Sequence, residues 1–276
     1  MPLRFAHAHH TLREHPVLIA ITRHLSASLA NCELSFVSRE RIDLDRARGQ
    51  HLAYQQALID AGCELIELPA QHSLPDAVFV EDTALVLDEL AVMTRPGAPA
   101  RRAEGATVAL ALRRFRPLLW IEDPGTLDGG DVLRIGRRLH VGASARSNAA
   151  GLEQLRSLLA RYGYAVVAHT TRGCLHLKSA VTEVAPGKLL INPDWIDRAG
   201  FDGFDLIEID VREQPAANAL RIGESIVYPA CFPRTLEKLE RAGIRVRTVD
   251  VSELQKAEGA VTCCSLVFAR GVGLHS

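Results

Sequence analysis

Apolar and polar positions alternate in short runs that recur along the chain. Five of them, ELIELP (64–69), LLWIED (118–123), AVVAHT (165–170), DLIEID (205–210) and RVRTVD (245–250), follow one another at intervals of about 35 to 55 residues. Each reads as a half-buried strand, because neighbouring side chains of a strand point to opposite faces. A polar linker follows each run. Then comes a second apolar stretch broken by turn residues: AVFVEDTALVLDELAVMT, DVLRIGRRLHVG, HLKSAVTEVAPGKLLIN, NALRIGESIVYP and CCSLVFARG. The first four predict hairpins, and the last a single remaining arm. Three segments space their apolar residues three and four apart: GQHLAYQQALIDAG (49–62), SNAAGLEQLRSLLARYG (147–163) and RTLEKLERAG (234–243). Each predicts a helix closed by glycine just past its C-terminus.

The order helix, strand, linker, hairpin thus repeats five times. One such unit is too small to bury its own apolar face, so five must pack together, and radial closure protects the strand edges. The missing partner of the last arm is expected from PVLIAITR near the N-terminus, which closes the ring.

Composition narrows the class. The chain has 276 residues, 47% of them hydrophobic, and a net charge of −1 from 32 basic and 33 acidic residues. That is enough for a full core and shows no basic stripe for nucleic acid. No run of about 18 apolar residues is present, so no membrane span is expected. MPLRFAHAHHTLREHP has no apolar stretch of a secretory leader. Six cysteines at 32, 63, 174, 231, 263 and 264, with no C-x-x-C pair, read as free thiols of a reducing, cytoplasmic compartment. A homodimer is compatible with the sequence.

Candidate chemistry sits at one place in every unit, between the first strand and the hairpin. The residues are Asp76, Glu81 and Asp82 in the first unit and Asp128 and Asp131 in the second. His176 and Lys178 follow in the third, Asn218 in the fourth, and Cys263 and Cys264 in the fifth. In a closed ring these positions converge on one axis. A cysteine to attack, a histidine to move protons and carboxylates to hold a cation suit a planar cationic carbon such as that of a guanidinium. Strand alternation in TCCSLVF allows only one of the two cysteines to face the axis, without saying which. One histidine and scattered cysteines give no recognisable zinc-ligand spacing, so no metal and no cofactor are expected.

The motifs LPDAVFVED, MTRPGAPARR, TLDGGDVL, VGASARSN, LHLKS, AAN, CFPRT and GAVTCCS together resemble the dimethylarginine dimethylaminohydrolases of the guanidine-modifying pentein superfamily. The resemblance runs from AITRHLSASLANCEL to TCCSLVF. It implies one catalytic domain over 1–276, a five-bladed α/β propeller, and hydrolysis of free Nω-methylated arginines to citrulline and an alkylamine. It implies Cys263 as nucleophile, His176 as proton carrier and Asp128 as the carboxylate orienting it. Asp76, Glu81 and Asp82 would line the guanidinium site, and Arg95 and Arg146 would bind the amino-acid end. Leu34 would belong to a lid loop and Ala257 would supply a backbone contact. Arginine deiminases of the same superfamily carry an aspartate where this chain has Lys178. That exchange is expected to make room for an alkylated nitrogen. An arginine deiminase and a non-catalytic five-bladed protein are the rival functions.

Overall fold

A computed structural model describes residues 16–271. The expectation about a secretory leader rests almost entirely on residues outside that range. Fifteen strands are present among the described residues: β1 (Leu18–Arg23), β2 (Cys63–Leu68), β3 (Ala84–Val86), β4 (Ala91–Met93), β5 (Leu118–Trp120), β6 (Val132–Ile135), β7 (Arg138–Ala143), β8 (Ala165–Thr170), β9 (Val181–Ala185), β10 (Lys188–Ile191), β11 (Asp205–Glu208), β12 (Leu220–Ile222), β13 (Ser225–Pro229), β14 (Arg245–Val249) and β15 (Leu266–Ala269). They form five three-stranded sheets, β15-β1-β2, β3-β4-β5, β6-β7-β8, β9-β10-β11 and β12-β13-β14. In each the first strand pairs antiparallel with the middle one, which pairs parallel with the third. The result is a five-bladed α/β propeller.

A parallel pair needs a long crossover, and the helices lie there. They are α1 (Leu44–Asp60), α2 (Gly105–Leu112), α3 (Ala149–Leu159) and α5 (Pro233–Arg241), with a 3-10 turn at Arg198–Phe201 in the fourth blade. Short helices α4 (Leu177–Ala180) and α6 (Ser252–Gln255) lie in the linkers between blades. The three expected helix-ending glycines, Gly62, Gly163 and Gly243, take φ of +94°, +72° and +77°, which only glycine adopts freely. Asp43 and Asn148 cap the N-termini of α1 and α3 through their side chains.

The repeat is real, but its phase differs from the sequence reading. The leading strand of each unit joins the hairpin of the unit before it, so every predicted unit straddles two blades. The ring closes as expected: β15 pairs with β1 from Leu18↔Ala269 to Ile21↔Leu266. First strands of neighbouring blades touch around the axis, as β15 does with β3 and β9 with β6 and β12. The linkers that carry the chemistry run from the third strand of one blade to the first strand of the next. Five linkers therefore meet at one end of the axis.

Candidate active site

Cys263 does not lie in a strand. Residues 261–264 form a turn, and β15 begins only at Leu266. Strand alternation is thus not what separates the two cysteines. The turn is held from three sides. Tyr54 donates its hydroxyl to the Val261 carbonyl (2.7 Å). Asn218 grips Thr262 twice, through its backbone N–H (3.1 Å) and its hydroxyl (3.0 Å). The Glu81 N–H bonds the Cys263 carbonyl (3.1 Å). This geometry leaves Cys263 half-buried and Cys264 wholly buried.

His176 immediately precedes α4, in extended backbone. Its Nε2 bonds Asp128 Oδ2 at 3.1 Å, and its Nδ1 stands 3.9 Å from Asp82 Oδ1. Asp128 also accepts from the Gly97 N–H (2.8 Å), and Asp82 from the Gly130 N–H (2.9 Å) and Arg101 Nη1 (2.7 Å). The glycines of TLDGGDVL are spatial requirements. A Cβ on Gly129 would sit 1.9 Å from the Glu81 carbonyl oxygen, and one on Gly130 2.5 Å from His176 Nδ1. Asp131, a candidate to which the sequence assigned no role, ties two segments together. It accepts from Ser144 (2.5 Å), Ser147 (2.6 Å) and the Leu177 N–H (3.0 Å), fixing the loop of Arg146 against the turn of His176.

Burial alone would lower the His176 imidazole, but Asp82, Asp128 and Asp131 hold it up to about 9. Burial would raise Asp82, but His176 and Arg101 pull it down to about 2. Burial, then Glu81 and Asp82, push the Cys263 thiol up to about 12. At neutral pH the resting site holds an imidazolium and a thiol.

One enclosed cavity of about 20 Å³ is lined by Cys263, His176, Asp82, Asp76, Arg146 and Ala257, with Glu33, Phe79, Arg101, Leu175 and Glu258. Asp128 stands behind His176. Leu34 lies in the segment that covers the cavity. There the Glu33 N–H bonds Asp76 (3.1 Å), Arg146 donates to Ser35 (3.3 Å), and Glu258 accepts the N–H groups of Ser35, Phe36 and Val37. The space left is of the order of one water molecule, so a ligand enters only when this segment shifts. Arg146 Nη1 is buried without a partner.

Three expectations need correction. Arg95 does not line the cavity: its guanidinium pairs with Asp123 and the Gly125 carbonyl. The second arginine at the cavity is Arg101, whose donors are taken by Asp82, Glu104 and two carbonyls, so Arg146 alone is free to bind. Glu81 also turns away, onto Lys178 (2.5 Å) and Thr262 (2.8 Å). Lys178 therefore faces Glu81 and not the cavity, which removes the argument that it makes room for an alkylated nitrogen. Separately, oxygens of Asp82 and Asp128 and a ring nitrogen of His176 lie within 4.8 Å of one another, a grouping compatible with a metal ion. It comes from three linkers, which is why ligand spacing in the sequence did not reveal it.

No protein-family model matches the chain. Among curated proteins, the N(G),N(G)-dimethylarginine dimethylaminohydrolase of Streptomyces coelicolor is 40% identical over 250 residues, covering 90% of this chain and 95% of its own. The enzyme of the same description from Pseudomonas aeruginosa is 38% identical over 228 residues, covering 82% and 90%. A solved structure of the Pseudomonas enzyme, a cysteine-to-serine mutant complexed with citrulline, superposes with a TM-score of 0.87 at 35% identity, over 91% of this chain and all of that one.

Proposed function

This chain belongs to the N(G),N(G)-dimethylarginine dimethylaminohydrolase family, and we propose that it hydrolyses free Nω-methylated arginines to citrulline and methylamine or dimethylamine. One observation carries the reading: a thiol, an imidazolium, two carboxylates and a guanidinium with one unpartnered nitrogen, drawn from three linkers and the β7–β8 crossover, line a single small cavity. Asp76 and Asp82 hold the substrate's guanidinium cation. Arg146 holds its α-carboxylate. A bound cation lowers the cost of ionising Cys263, opposing the burial and the carboxylates that raise its pKa.

As substrate binds, the Cys263 thiol gives up its proton to solvent, and the thiolate attacks the guanidinium carbon. The alkylated nitrogen takes a proton from His176 and leaves as the neutral amine, and a covalent S-alkylthiouronium remains on the cysteine. His176, now neutral, accepts a proton from water. The resulting hydroxide adds to the same carbon, the C–S bond breaks to regenerate the thiolate, and the added hydroxyl releases its proton to solvent as citrulline forms. Asp128 fixes the ring so that the nitrogen facing Asp82 serves both steps. Leu34, between Glu33 and Ser35, travels with the lid, and the Ala257 backbone flanks the substrate.

Free amino acid, and not methylated arginine inside a protein, is the substrate, because a peptide bond removes the charge that Arg146 pairs with. That omission costs a few kcal/mol, roughly 10²-fold or more in affinity. Six free cysteines support a cytoplasmic, reducing location. Among the described residues no helix is long and apolar enough to cross a membrane.

The test is citrulline formation from arginine, monomethylarginine, asymmetric and symmetric dimethylarginine, and a peptide containing methylarginine. Turnover is expected with free monomethyl and asymmetric dimethyl substrates. Preferential turnover of arginine would make the chain a deiminase, and efficient turnover of the peptide would refute the role of Arg146.

A further inference from the structure

A second space lies beside the reactive cavity, separated from it by very little. It measures about 440 Å³ against about 20 Å³, and Leu175 and Glu258 line both. Its walls include Cys174, Trp195, Pro215 and Phe232, with Phe36 and Val37 from the lid. Glu258 is the one charged residue among its lining side chains. The Asn218 side-chain donor and acceptor there are already engaged by Lys178 and Thr262. Such a chamber favours a hydrocarbon group over an ammonium.

Its lining reaches Ala260, whose carbonyl accepts the Cys263 N–H at 3.2 Å, so the space borders the turn that carries the nucleophile. Leu175 directly precedes His176. The Cys174 Sγ contacts the His176 carbonyl at 3.5 Å, and His176 and Leu177 are held by Asp128 and Asp131 on the C-terminal side of Leu175. Leu175 lies outside the lid segment of residues 33–37 and lines both spaces.

We propose that Leu175 sets the size of the Nω-substituent that the site accepts. Its side chain closes the reactive cavity against the apolar chamber, and the chamber receives a longer Nω-alkyl group once that side chain is trimmed. This rests on the methylarginine reading above and adds to it the residue that limits alkyl size.

The experiment compares kcat/KM for Nω-methylarginine and Nω-propylarginine in the wild type, Leu175→Ala and the milder Leu175→Val. Each buried methylene misfit in an apolar pocket changes selectivity by about 10-fold or more. The propyl-to-methyl ratio is therefore expected to rise at least about 10-fold in Leu175→Ala and less in Leu175→Val. It should fall back when Cys231→Trp fills the chamber from its outer side. An unchanged ratio in variants that still turn over Nω-methylarginine would overturn the proposal. If trimming Leu175 abolishes turnover, the same ratio is read as binding affinity in a Cys263→Ser background, and an unchanged ratio there has the same force. Wild type that forms no citrulline from Nω-methylarginine would refute the proposed function, while the binding ratio would still decide on Leu175.

Discussion

Cys263 faces the cavity while Cys264 is sealed behind it, so the two thiols should respond differently to the same change. Cys263→Ser is expected to abolish citrulline formation. Cys264→Ser should retain most of it and lose at most about 1–2 kcal/mol of stability, because the new hydroxyl can donate to the Ala260 carbonyl that the thiol already approaches at 3.5 Å. The reverse outcome would mean that the turn presents the other sulfur. His176→Ala should lose at least ~10²-fold in kcat, the usual contribution of a proton-transferring group. Asp131 works through others, so its substitution has a different signature. Its negative charge helps hold His176 up to about 9. Activity should therefore decline above pH 9 in the wild type, as the imidazolium that protonates the leaving amine is lost. In Asp131→Asn that decline should begin at lower pH, measured as the alkaline limb of kcat/KM. A purely structural role for Asp131 would lower activity without moving the limb.

At the scale of elements, the lid over residues 33–37 depends on one residue of a different linker. Glu258 is the one non-glycine residue with positive φ among the described residues, at 57°. From that conformation its carboxylate receives the Ser35 N–H at 2.9 Å and the Val37 N–H at 2.8 Å, with that of Phe36 between them. Left-handed backbone is unfavourable for glutamate and free for glycine. Glu258→Gly is thus expected to leave global stability unchanged or raised, while amide exchange at Ser35, Phe36 and Val37 accelerates at least ~10-fold. Exchange at wild-type rates would show that the lid is held by something else. The shared end of the axis makes this coupling possible: a lid from the first blade is latched by a group that arrives some 220 residues later, |i−j| being 221 to 223 for these bonds.

For the whole molecule, stability should fall on both sides of a maximum near pH 6.5. Burial keeps His51 and His140 down to about 4, so they stay neutral in the fold while the unfolded chain takes up protons below its ordinary value of about 6.5. Their contribution is present above that value and lost as pH falls from 6.5 toward 4. His176 has the opposite sign. Held up to about 9, it contributes fully below 6.5, and that contribution fades as pH rises through 9. Each kcal/mol lost corresponds to about 2–4 °C in Tm for a chain of this size. Thermal unfolding between pH 4 and 10 should show both limbs. His51→Leu should flatten the acid limb, since neither ring nitrogen of His51 has a partner to lose. His176→Asn should flatten the alkaline one. A curve unaffected by either change would contradict the assignment.

The strand and helix periods are local properties, and they were sufficient to read five repeats, the helix-ending glycines, the closing role of the N-terminal strand and the linker position of every candidate group. Blade boundaries were not legible, because whether a strand pairs with the hairpin before it or after it depends on a crossover path that periodicity does not encode. Direction of side chains was also hidden. Glu81 and Lys178 occupy the expected linkers and Arg95 the β4–β5 crossover, yet partners, Asp123 for Arg95 and each other for the remaining pair, turn them out of the cavity. Arg101 and Glu258 were missed, and Asp131 was named without its role, for the same reason. Their importance lies in hydrogen bonds across linkers, and no local pattern distinguishes such a residue from an ordinary surface charge. The sequence determined which chemistry the chain carries and that it gathers at one axis. Only the tertiary structure decided which of those groups face the cavity, because that choice is made by burial and by partners far apart in the chain.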